Sequence, residues 1–188
     1  MGYGYLKKQI CMHLNSKATG TEDDVLALRS LFEQSLREMY WSEMQLATAF
    51  ENILASVSSK DTVRMLTLHA VTTKMHCDRI EKIFESIGLP PQHQRFEPME
   101  SLIGDMMAKI ALTEFGSVRD AAVIACVQLI THCEIAAYGT LKSFALSLKE
   151  EDVVALLEKN LADEKEIDLK LTVVAEAYIN DEAANKEF

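Results

Sequence analysis

The sequence predicts an all-α protein: an antiparallel four-helix bundle with a short extra helix in the long connection between helices two and three. Three observations predict it. Prolines and glycines are few, 3 and 7 in 188 residues, which favours long helices over an all-β fold. Apolar residues recur at helical spacing through four stretches of roughly 25–35 residues each. Most links between those stretches are short and polar, and a short link makes antiparallel neighbours. A chain of this length is expected to form one domain with a sizeable core.

Residues 1–20 stand apart from this pattern. Tyr3, Leu6, Ile10 and Leu14 give one apolar face, ended by the stretch 16–20. They read as a loosely docked extension, or alternatively as an arm packing on a partner subunit. The bundle is expected to occupy residues 21–182, with 183–188 a frayed tail.

Thr21-Glu22-Asp23-Asp24 is a helix start, a hydroxyl cap followed by acids in the first turn. The first helix runs to about Val57 along the stripe Leu28, Phe32, Leu36, Met39, Glu43, Leu46, Phe50, Ile53, Val57. A glutamate thus occupies a core position. Ser58-Ser59-Lys60-Asp61 breaks the pattern, and a second helix is expected from about Asp61 to Ile87. Its stripe is Met65, His69, Thr72 or Thr73, His76, Ile80, Ile83, Ile87. Gly88 fits the position after the helix end, and Pro90-Pro91 forbids continuation.

Glu97–Leu112 reads as a shorter helix with Met99, Leu102, Ile103, Met106, Met107 and Ile110 on one side. Gly116-Ser117 ends the connection, with Ser117 as the expected cap of the third bundle helix. That helix carries Ile124, Val127, Thr131, Glu134, Tyr138, Leu141, Ala145 and Leu148 on one stripe. A second stripe runs beside it through Cys126, Leu129, Cys133, Ala136 and Phe144. A helix apolar over so much of its circumference belongs inside a bundle. After Lys149–Asp152 the last helix runs from about Glu151 to Ile179 on Val154, Leu157, Leu161, Glu164, Asp168, Leu171, Ala175 and Tyr178. The residues from Asn180 onward are expected to fray.

Composition excludes some functions. The formal net charge is −10, which argues against nucleic acid, because phosphate binding needs a basic face. No apolar run is expected to reach the length of a membrane span of roughly 20 residues, and no secretory h-region lies near Met1. The start Met1-Gly2-Tyr3-Gly4-Tyr5-Leu6 lacks the hydroxyl residue of a myristoylation signal. Cys11, Cys77, Cys126 and Cys133 form no CxxC and no zinc-like spacing. They read as packed thiols in a reducing cytoplasm.

The core polar groups carry the chemistry. An ionised carboxylate inside a bundle costs several kcal/mol unless paired or bound to a metal. Taken singly, each has a plain reading. Glu43 can snorkel or pair with Arg37, Arg64 or Arg79. His69 can be a hydrogen-bonded core imidazole, and Tyr138 a packed ring with its hydroxyl satisfied. Glu164 and Asp168 resist that reading, since acids stacked in one seam repel unless a positive charge lies between them. The spacing also repeats: Glu43 to His76 is 33 residues, and Glu134 to Asp168 is 34. This is the pattern of a duplicated helical hairpin. Carboxylates and imidazole converging between bundle helices suit iron or manganese, with zinc a further fit.

At these residues the chain resembles the YciE/YciF family of ferritin-like proteins, a bacterial stress-associated group. The resemblance covers roughly residues 25–180. Its most telling stretch is His132-Cys133-Glu134-Ile135-Ala136-Ala137-Tyr138-Gly139-Thr140-Leu141. Leu36–Leu46, Asp163–Leu171 and His76–Glu81 support it. The resemblance implies a ferritin-like bundle, a homodimer, and a di-iron or di-manganese type of site in the cytoplasm. It puts Glu43, His76, Glu134, Glu164 and Asp168 at metal-site positions; His69, Thr72 and Tyr138 are read from their places on the stripes as supporting residues around them. There is one departure. The family's second helix usually carries Glu one turn before the His position, where this chain has Val71-Thr72-Thr73. Three outcomes stay open: two metals with water or His69 filling in, one metal, or a metal-free site held by hydrogen bonds. The corresponding functions are metal or oxidant handling under stress, and a non-catalytic structural bundle.

Overall fold

The computed structural model describes residues 21–184, so the expectations for residues 1–20 and 185–188 lie outside it. The described residues form α1 (Glu22–Ser56), α2 (Lys60–Ser86), α3 (Glu97–Leu112), α4 (Ser117–Ser147), α5 (Glu151–Val174), a π-helical turn (Ala175–Ile179) and α6 (Asn180–Ala184). The four long helices close a ring: α1 packs on α2 and α4, and α5 packs on the same two. The short helix α3 lies across α4 and α1. This is the predicted four-helix bundle with its connecting helix.

Local chemistry sets the ends. Thr21 and Asp24 form a reciprocal capping box at α1, each side chain serving the other's backbone N–H. Ser59 caps α2 through the N–H of Thr62. The expected cap of α4 is corrected. Ser117 is its first helical residue, and the cap position belongs to Gly116, whose φ of 140° is open to glycine and strained for other residues. Asp120, in the first turn of α4, is fully buried and serves the neighbouring hairpin. It accepts hydrogen bonds from the N–H groups of Ser58 (2.8 Å) and Ser59 (2.7 Å) and from the Ser58 hydroxyl.

The sequence expectation of no membrane-length apolar helix is also corrected. Ser117–Ser147 is long and apolar enough by composition alone. Its setting is that of a core helix: α1, α3 and α5 cover it, and Asp120 and Glu134 are buried on it. Asn180–Ala184 are helical rather than frayed. The π-helical turn before them carries one extra residue per turn. Consequently Ile179, and not the expected Tyr178, faces inward; Tyr178 is 60% exposed.

The core falls into two apolar plugs. One holds Leu46, Phe50, Ile53, Leu66, Ile130 and Ile167 among others. The second holds Phe32, Leu36, Ile80, Phe84, Leu141 and Leu157 among others. Each fully buried large side chain contributes about 1.5–3 kcal/mol. Between the plugs every long helix turns a polar residue inward: Glu43 on α1, His69, Thr73 and His76 on α2, Thr131 and Glu134 on α4, Asn160 and Glu164 on α5. The site therefore sits in a layer closed by hydrocarbon at both ends.

Candidate metal centre

Glu43, His69, His76, Glu134 and Glu164 are all fully buried, and their donor atoms converge. Glu43 Oε1 lies 3.1 Å from His76 Nδ1 and accepts a short hydrogen bond from the Tyr138 hydroxyl. Glu164 Oε1 is 3.4 Å from His76 Nδ1 and 3.4 Å from His69 Nε2. His69 Nε2 is in turn 4.0 Å from Glu134 Oε2. Two groups of three donors result, Glu43–His76–Glu164 and His69–Glu134–Glu164, each with its ligand atoms within 4.8 Å of one another. Glu164 belongs to both.

The electrostatics of this layer are unbalanced. Both oxygens of Glu134 and of Glu164, Oε2 of Glu43 and both ring nitrogens of His69 have no hydrogen-bond partner. Burial, then the charges of Glu164 and Glu43, hold the Glu134 carboxyl well above the usual carboxylate range. Burial and the Glu43 charge push the Tyr138 hydroxyl up in the same way. For His76, burial pulls downward, but Glu43, Glu164 and Asp163 outweigh it and raise the imidazole above its ordinary value. Burial with the nearby carboxylates pushes the Cys77 thiol up to about 12. Buried polar groups are ordinarily satisfied. So many orphaned oxygens and nitrogens facing one small space fit a cation: carboxylate and imidazole are the donors that iron, manganese and zinc take.

Four of the five residues placed at metal positions from sequence come together: Glu43, His76, Glu134 and Glu164. Asp168 does not. It is half-buried on the flank of α5, where its Oδ1 meets His132 Nε2 at 3.3 Å and Gln128 Nε2 at 3.2 Å. A seam one turn beyond Glu164 can take residue 167 or 168, and the apolar Ile167 occupies the inward place. Thr72 is corrected likewise. Its hydroxyl donates to the carbonyls of Leu68 and His69, along its own helix. Thr73 is the buried neighbour, and its hydroxyl has no partner. Residue 73 is one turn before His76, the place where the resemblance expects a carboxylate. His69, expected to support the site, instead supplies a donor to the second group. Thr131 is buried as its place on the inward stripe predicts, whereas Asn160 in the polar layer and Asp163 at its edge carried no signal in the sequence beyond residue type.

Comparison with known proteins agrees with the fold. A family model described as a domain of unknown function, DUF892, matches residues 27–184. Protein YciF of Escherichia coli (strain K12) is 34% identical over 160 residues, covering 85% of this chain and 96% of its own. The crystal structure of the E. coli stress protein YciF superposes with a TM-score of 0.78 at 33% identity, over 81% of this chain and 97% of that one. YcfI from Rhodopseudomonas palustris gives a TM-score of 0.77 at 29% identity, over 85% and 98% of the two chains. A Xanthomonas campestris pv. campestris protein at 17% identity, TM-score 0.68, over 86% of this chain and 99% of its own, shares the fold. With its bundle and nearly its whole length matched, the chain belongs to the DUF892 family, as a relative of YciF.

Proposed function

We propose that this protein binds two divalent cations, iron or manganese, in the polar layer of the bundle, and that the pair serves metal or oxidant handling under stress. The observation that carries the reading is the shared position of Glu164. One of its oxygens stands at the same distance, 3.4 Å, from an imidazole of each group. Glu43 and His76 would complete one metal position, and His69 and Glu134 the other. The relative YciF is described as a stress protein, which is the source of the stress assignment.

Bound iron or manganese would supply Lewis acidity and one-electron redox chemistry toward oxygen or peroxide. The chain's own groups do the rest. The Tyr138 hydroxyl donates to Glu43 Oε1, while Oε2 of that carboxylate is buried without a partner. The two apolar plugs exclude water and keep the effective dielectric low, which strengthens each charge interaction inside. Thr73, standing where the resemblance expects an acid, lowers the negative charge of the site.

The test is elemental analysis of protein purified without chelator, with Glu134→Ala beside it. Bound metal in the wild type and a reduced content in the variant support the reading. A metal-free wild type that also fails to take up added ferrous or manganous ion contradicts it and favours a structural bundle.

A further inference from the structure

The two histidines of the layer are held differently. The His76 ring stands between two sets of carboxylates: Nδ1 faces Glu43 at 3.1 Å and Glu164 at 3.4 Å, and Nε2 faces Asp163 Oδ2 at 3.4 Å. Asp163 neighbours Glu164 in sequence yet turns toward the edge of the bundle, with its side chain 29% exposed. Arg79, one turn beyond His76 on α2, fixes it there. The guanidinium Nη1 reaches Asp163 Oδ2 at 2.5 Å and Asn160 Oδ1 at 2.9 Å. Thus Arg79 cross-ties α2 and α5 beside His76, whereas the contact of His69 with α5 is Glu164 itself. Neither His76 Nε2 nor His69 Nδ1 makes a hydrogen bond, but among the described residues His69 has no carboxylate neighbour besides Glu134 and Glu164, and its ring is steadied by an edge contact with Phe50.

A ligating imidazole is oriented by what its other nitrogen meets, and losing that partner commonly costs 10–100-fold in metal affinity. We infer that Asp163, locked by Arg79, is a positioning residue that turns His76 Nδ1 toward the Glu43–His76–Glu164 position and makes it the tighter of the two. This rests on the dinuclear reading above. The remaining position, at His69, lacks such an anchor, so its ligand must be ordered when the ion arrives. The chain would therefore fill in sequence, the His76 side first.

The experiment is calorimetric titration of the metal-free protein with Zn²⁺, alongside Asp163→Ala and the near-isosteric Asp163→Asn. The wild type is expected to show two separate steps. Asp163→Ala is expected to weaken the tighter step 10–100-fold and leave the weaker one unchanged. Asp163→Asn, which keeps an oxygen acceptor, is expected to recover part of the loss. In the zinc-loaded wild type, ¹⁵N NMR of the histidines should find the His76 proton on Nε2. An unchanged tighter step in Asp163→Ala, equal weakening of both steps, or the His76 proton on Nδ1 would overturn the inference while leaving the dinuclear reading intact. A wild type that binds no zinc, iron or manganese would overturn both.

Discussion

The Nε2 atom of His69 on α2 lies 3.4 Å from Oε1 of Glu164 on α5, with both side chains wholly buried. Neither atom has a hydrogen-bond partner. This contact ties the second donor group to the first. It also marks the layer as a place where folding has left charge uncompensated, and the consequences can be measured.

Removing a buried acid should stabilise the metal-free protein. Glu134 has no partner for either oxygen, so Glu134→Leu exchanges an unpaired carboxyl for hydrocarbon. Such exchanges commonly gain about 1–4 kcal/mol. At about 2–4 °C per kcal/mol for a chain of this size, the melting temperature of the metal-free variant should rise by several degrees. Differential scanning calorimetry of chelator-treated samples checks this. A fall in melting temperature would mean that Glu134 is satisfied in the folded protein.

Metal should stabilise the wild type. An ion that binds the folded state at 100 times its dissociation constant adds about 2.7 kcal/mol. Manganese should therefore raise the melting temperature of the wild type by roughly 5–10 °C and leave Glu164→Ala almost unmoved. Equal shifts in the two proteins would place the ion elsewhere.

The junction of α1, α2 and α4 rests on Asp120. Its carboxylate accepts from two backbone N–H groups in the α1–α2 link and from a hydroxyl. Hydrogen bonds to a charged group contribute about 1.5–3 kcal/mol. Asp120→Ala should cost about 2 kcal/mol or more on that scale, read from the urea midpoint at unchanged slope. Asp120→Asn should fall between the two. A change under ~0.5 kcal/mol would show that water replaces the carboxylate without loss.

The start of α1 should respond to acid. The Thr21 backbone N–H, then its hydroxyl, hold the Asp24 carboxyl below its ordinary value. A depressed acid adds stability that is present above its unfolded-state value and lost as pH falls through the folded one. Amide exchange at residues 25–29 should therefore quicken relative to the helix centre as the solution is acidified through the carboxyl range. Thr21→Ala should show the quickening already at neutral pH. A pH-independent ratio would count against the capping box.

The helices were legible because both their periodicity and their ends are local properties. The resemblance helped most where it rested on residues with no apolar alternative, such as Glu43 and Glu134 in otherwise hydrocarbon seams. Where two adjacent residues compete for one inward position, helical spacing cannot decide. Thr72 and Thr73 differ by a rotation that only packing fixes, and Ile167 displaced Asp168 because burying a methyl-rich side chain is favourable and burying an acid is not. Tyr178 missed its inward position because the π-helical turn shifts the register after Val174. Asp163 and Asn160 escaped notice because their value depends on Arg79, about 80 residues away in the chain.

The central claim is that Glu164 joins two metal positions, and native mass spectrometry after loading with Mn²⁺ tests it most directly by counting ions per chain. Wild type should carry two, Glu43→Ala and Glu134→Ala about one each, and Glu164→Ala none. Two ions retained in Glu164→Ala, or none in a folded wild type, would contradict the account.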